Sequence, residues 1–244
     1  MTGSQSKPAA GRRTFVLVHG AWHGGWCWRR VADRLIAQGH MVFVPTLTGL
    51  GERSHLLGPG VNVDTHVTDV VNLMKWEGLT DVVLCGHSYG GMVISGVAEQ
   101  MLPAISSLIF LDAFVPVDGD AMVTITGDAN RALILAAVER GDPSVKPRSA
   151  ADFHVNPADR AWVDAKCTPQ PIGAMHQKLH LTGARDRVAK KAYIRAAGHE
   201  SPYFDRYYEA LRRDPAWRCE ALPCGHDVMV DMPEELTALL LAFA

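Results

Sequence analysis

No stretch of this 244-residue chain reaches the roughly 18 consecutive apolar residues needed to cross a bilayer, which argues against a membrane-spanning helix. Charge of one sign is missing too. Lys and Arg number 24 against 26 Asp and Glu, a formal net of −2, so nothing in the balance suits nucleic acid or an anionic membrane surface. Cysteine is sparse. The five residues Cys27, Cys85, Cys167, Cys219 and Cys224 show no metal-type spacing, and reduced, buried thiols in a cytoplasmic protein are the expectation. Residues 1–13 lack the apolar core of a signal peptide and read as a disordered tail. Internal repeats and low-complexity segments are absent as well.

What is present is ordinary globular material, 48% hydrophobic and 20% charged, in a length that suits one large domain. Short apolar runs alternate with helical patterns. Strand signals fall at 14–18, 41–44, 82–85, 108–111, 191–195 and 217–221. Helical patterns fall at about 26–38, from Asp64 as N-cap to Trp76, then 92–100, 129–140, 203–212 and 233–243. This alternation predicts an α/β protein with a mostly parallel, doubly wound sheet of about six strands. Between Pro116 and Thr182 the pattern loosens. That stretch reads as a small helical cap, 116–182, inserted after the strand that ends at Asp112, with the core made of 14–115 and 183–244.

The chemistry centres on Gly86-His87-Ser88-Tyr89-Gly90, placed between an apolar strand and a helix. Gly-x-Ser-x-Gly in that setting is a nucleophile elbow, a sharp turn that exposes a serine hydroxyl. A serine needs a base, and partners of such an elbow follow in the order serine, acid, histidine. His226, in Pro223-Cys224-Gly225-His226-Asp227, lies after the final strand and is the candidate base. His19-Gly20, at the end of the first strand, opens a Gly-rich loop that can aim the Ala21 amide at a developing oxyanion, with the Tyr89 amide as the second donor. Trp22 and His23 belong to the same loop.

These motifs resemble the α/β-hydrolase superfamily. Val16-Leu17-Val18-His19-Gly20-Ala21-Trp22-His23-Gly24-Gly25-Trp26 and Gly86-His87-Ser88-Tyr89-Gly90-Gly91-Met92 are similar to the plant methylesterase and hydroxynitrile lyase branch and its bacterial esterase relatives. Leu111-Asp112-Ala113-Phe114-Val115-Pro116 and Pro223-Cys224-Gly225-His226-Asp227-Val228-Met229 resemble bacterial methyl carbamate hydrolases of the carbendazim type. In the plant branch the acid lies after the penultimate strand, a slot that here falls on His199, with Glu200 adjacent. The other solution in the superfamily puts the acid after the strand following the nucleophile helix. Asp112 stands there, 24 residues past Ser88, a spacing that resembles haloalkane dehalogenases. An Asp ending an apolar strand needs a partner if buried, so Asp112 is the expected acid and Glu200 the alternative.

The resemblance implies a serine hydrolase that cleaves small, fairly apolar esters or carbamates through an acyl-enzyme. Methyl esters in particular come from the resemblance alone. Neither a metal nor an organic cofactor is implied. The expected partner is a small-molecule substrate, with no nucleic acid and no membrane, and a homodimer is left open. Trp22, His23, Phe114, Leu133, Phe153, Trp162 and Met175 are candidates for the substrate pocket. Two other readings share this fold: a non-catalytic small-ligand-binding protein, and lyase or cofactorless dioxygenase chemistry. Hydroxynitrile lyases of this group carry threonine and lysine where this chain has Gly20 and Asp227, which argues against cyanohydrin cleavage.

Overall fold

A computed structural model describes residues 11–244, and residues 1–10 of the expected tail lie outside the described residues. The chain opens with β1 (Thr14–Val18), α1 (Arg29–Ala37), β2 (Met41–Phe43) and α2 (Val63–Trp76). It continues through β3 (Val82–His87), α3 (Gly90–Met101) and β4 (Ile105–Leu111). Next come α4 (Met122–Ile125), α5 (Asp128–Glu139), β5 (Ser144–Val145), α6 (Arg160–Lys166), β6 (Gln170–Pro171) and α7 (Ile172–His176). The chain closes with β7 (Lys190–Ala196), α8 (Pro202–Leu211), β8 (Trp217–Leu222), α9 (Val228–Asp231) and α10 (Pro233–Phe243). Among the described residues, no helix is long and apolar enough to cross a membrane.

Six strands form one parallel sheet in the order β2-β1-β3-β4-β7-β8. The apolar runs of the central strands β1 and β3 follow from burial on both faces. Phe15 and Leu17 of β1 join one core with Val31 and Leu35 of α1 and Leu236 and Leu240 of α10. Val16 and Val18 join the other with Val67 and Val70 of α2 and Val93 and Val97 of α3. Each such side chain contributes about 1.5–3 kcal/mol by leaving water. Because β1 lies between β2 and β3, the strand order reverses beside it, and the crevice at such a reversal opens at the carboxyl ends of the strands. His19, Ser88 and Asp112 directly follow β1, β3 and β4 at that edge, and His226 follows β8 by a short loop.

Two details differ from the sequence-based expectations. Asn62, not Asp64, caps α2: its side chain accepts from the Thr65 amide at 3.0 Å, and the Thr65 hydroxyl accepts from the Asn62 amide at 3.3 Å. Asp64 lies inside the first turn, where a carboxylate favours the helix dipole without capping it. The segment 116–182 holds a two-stranded antiparallel pair, β5 with β6, besides its helices. It also straddles the sheet edge: Phe153 and Val163 pack into the α1 and α10 core, Met175 and Leu179 into the α2 and α3 core.

Candidate active site

The turn from β3 to α3 is two residues long, Ser88 and Tyr89. Ser88 stands at φ 54°, a left-handed conformation that costs a non-glycine residue about 1–3 kcal/mol. Its backbone is pinned from both sides: its amide donates to Leu111 O at 3.1 Å, and its carbonyl accepts from the amides of Gly91 at 3.0 Å and Phe114 at 3.2 Å. The flanking glycines are required by space. A Cβ on Gly86 would lie 2.5 Å from the Gly90 carbonyl oxygen, and one on Gly90 would lie 2.9 Å from the carbonyl oxygens of Val18 and His19.

Asp112, at φ 41° and fully buried, meets His226 across the sheet edge, with 2.6 Å between His226 Nδ1 and Oδ2. Its Oδ1 accepts from the Arg195 guanidinium at 2.7 Å and the Ala196 amide at 3.1 Å. Burial lifts the Asp112 carboxyl to about 6, against the pull of Arg195, and holds the His226 imidazole down to about 3. Glu200 is exposed and has no hydrogen bond to His226 among the described residues. His199 is buried, with its ring centroid 4.8 Å from that of His226. Ser88 and His226 line one cavity, together with Ala21, Trp22, Phe114 and Phe153.

The amides of Ala21 and Tyr89 donate to no protein acceptor among the described residues. The loop that carries Ala21 is fixed by histidine and glutamine side chains. Leu47 N donates to His19 Nε2 at 3.1 Å, so the proton of His19 resides on Nδ1 and is donated to the Gly20 carbonyl at 2.8 Å. That carbonyl belongs to the same peptide as the Ala21 N–H, and a bond to one end of a peptide strengthens donation from the other. Burial keeps His19 neutral by lowering it to about 3. Gln170 Oε1 accepts from Trp22 N at 2.9 Å, tying the loop to β6. Tyr89 is held by its hydroxyl, 2.9 Å from His66 Nδ1.

Of the expected pocket residues, Trp22, Phe114 and Phe153 line the Ser88 cavity. Met175 and Leu133 line a neighbouring cavity that shares Trp22 with it, and Leu133 is 56% exposed. Trp162 borders neither; it packs edge-on against Trp26 at 5.1 Å, under Arg30. His23 also borders neither, and is buried against Asp227 at 2.9 Å. Sequence reasoning passed over Arg195, Asn130, Arg148, Tyr203 and Phe204, and met His199 only as the occupant of the plant-branch acid slot. Among the described residues, Asp112, His199 and His226 offer ligand atoms within 4.8 Å of one another, yet both Asp112 oxygens are engaged and the Arg195 guanidinium opposes a cation there.

The sequence matches the alpha/beta hydrolase family over residues 15–239. It is 44% identical over 237 residues to a carbendazim hydrolyzing esterase of Nocardioides sp. (strain SG-4G), covering 93% of this chain and 98% of that protein. Methylesterase 10 of Arabidopsis thaliana is 38% identical over 105 residues, a match spanning 42% of this chain and 38% of the plant protein. Among solved structures, an extracellular alpha/beta-hydrolase from a Paenibacillus species superposes with a TM-score of 0.83 at 23% identity, over 95% of this chain and 99% of that one. At that identity the likeness speaks for the fold alone. With the family matched over most of its length and an esterase relative covered nearly end to end, this chain belongs to the alpha/beta hydrolase family, among its esterases.

Proposed function

We propose that the protein is a serine hydrolase of small, fairly apolar esters or carbamates. Ser88 Oγ attacks the carbonyl carbon as His226 takes its proton, and the amides of Ala21 and Tyr89 hold the oxyanion. His226 then protonates the leaving alcohol or amine, and water, activated by the same imidazole, cleaves the acyl-enzyme. Asp112 fixes the His226 tautomer and stabilises the imidazolium. The observation that carries this reading is Ser88 on a strained elbow, in one cavity with a histidine whose other nitrogen is engaged by a buried carboxylate. The esterase relative acting on carbendazim and the plant methylesterases favour ester and methyl carbamate substrates. Gly20 argues against the lyase alternative, since a Cβ there would lie 2.9 Å from both Ser88 Cβ and His87 Nδ1.

The free space beside Ser88 is about 30 Å³, and its lining residues Asn130, Arg148, His199 and Tyr203 also line an adjoining cavity of about 640 Å³. The test is a hydrolysis screen of methyl esters, aryl esters, lactones and methyl carbamates with wild type and Ser88→Ala. Turnover of esters or methyl carbamates by wild type, lost in Ser88→Ala, is expected. Hydrolysis that persists in the alanine variant would refute the assignment.

A further inference from the structure

Among the buried ionisable groups that the mechanism above leaves without a role, two face each other. His23 lies two residues beyond Ala21 on the oxyanion loop, and Asp227 directly follows His226. They are 1% and 0% exposed, and His23 Nε2 is 2.9 Å from Asp227 Oδ2. The other ring nitrogen, Nδ1, is 2.8 Å from the Ala21 carbonyl oxygen. A carbonyl oxygen only accepts, so Nδ1 carries a proton. An ionised carboxylate only accepts, so Nε2 carries one too. His23 is therefore an imidazolium paired with the Asp227 carboxylate. The Trp26 indole stacks on its ring at 5.2 Å and 20°, a face that favours a cation. The Asp227 charge raises His23 and the His23 charge lowers Asp227, both against burial.

Resting on the serine hydrolase reading, we propose that His23 and Asp227 are positioning residues: a buried imidazolium–carboxylate clamp that locks the oxyanion loop to the loop of the base. One end of the clamp holds the Ala21 carbonyl, next to the proposed oxyanion donor. The other is the residue bonded to His226. The two loops are 204 residues apart in sequence, and this side-chain bond fixes their separation. The clamp also sets charge. Asp227 next to His226 favours the protonated base and His23 opposes it, so the intact pair presents His226 with nearly no net charge. The other groups facing the pair are His19 and His87, Cys27, Cys167 and Cys224, and Lys166 beyond Trp26. Asp112, Arg195, Arg148 and His199 face His226 from other elements.

Three variants and one spectrum test it. Asp227→Ala breaks the clamp, and Asp227→Asn keeps it in neutral form, because the Asn amide donates to a deprotonated Nε2. Asp227→Ala should lower kcat by about 10²-fold, the usual effect of losing one oxyanion donor, with KM near its wild-type value. Asp227→Asn should recover most of that loss. His23→Gln, which strips the countercharge from Asp227, should move the acid limb of the kcat/KM profile to higher pH. In wild type, ¹⁵N spectra at neutral to alkaline pH should show protons on both His23 nitrogens. Wild-type kcat in folded Asp227→Ala, or an unprotonated His23 nitrogen in the wild-type spectrum, would overturn the clamp. Labelling of wild-type Ser88 by a fluorophosphonate, run in parallel, reports on the parent reading separately, and the ¹⁵N readout stands whichever way that labelling falls.

Discussion

Among the described residues, five non-glycine residues adopt positive φ, and three of them, Trp22, Ser88 and Asp112, lie just beyond the carboxyl ends of β1, β3 and β4. Strain of this kind persists only where neighbours over-determine the backbone, and here the neighbours are the ends of β1, β3 and β4. Asp112→Asn presents His226 with the wrong hydrogen-bond partner, and kcat should fall by about 10⁴, as when a triad acid is replaced by its amide. Glu200→Gln, on an exposed side chain, should leave kcat near wild type. Steady-state kinetics of the two variants decide between the acids, and a loss confined to Glu200→Gln would reverse the assignment. Ser88, Asp112 and His226 are legible in the sequence because each follows a strand in a motif with its own backbone logic. Arg195 and the His23–Asp227 pair are not, because their partners lie 83 and 204 residues away and no local pattern announces them.

The central strands β1 and β3 are legible because strands buried on both faces read as apolar runs bounded by turn residues. Element ends are less so. The N-terminus of α2 illustrates why, since Asn62 and Asp64 are both good capping types and only backbone geometry selects between them. Asn62→Ala removes the reciprocal bonds with Thr65 and should cost about 1 kcal/mol of stability, seen as a lower urea midpoint with unchanged kcat. Asp64→Ala should cost less. The reverse ranking would contradict the observed cap. In the stretch 116–182 the helices are short and their apolar faces point to two different cores, so periodicity does not tell which side chains face Ser88. That is why Trp162 and Leu133 were expected in the pocket and are found outside it.

At the scale of the whole molecule, burial holds His19, His87, His199 and His226 down to about 3 and His66 to about 4. The unfolded chain takes up these protons near the ordinary histidine value, about 6.5, and the folded chain far lower. The stability they contribute is complete above that value and is lost as pH falls towards 3–4, about 1.4 kcal/mol per histidine per pH unit. His23 and Asp112, both raised, act in the opposite sense but are outnumbered. The urea midpoint should therefore drop steeply between about pH 6.5 and about pH 5, and a flat or rising midpoint would contradict the buried neutral histidines. In the same range kcat/KM should decline as the Asp112–His226 pair takes its first proton near pH 6. The most direct test of the central claim is fluorophosphonate labelling of the intact protein, read by mass spectrometry and peptide mapping. The account predicts a single adduct per chain, on Ser88, absent from Ser88→Ala and slowed in Asp112→Asn. An adduct of equal yield in Ser88→Ala, or none in the wild-type protein, would contradict it.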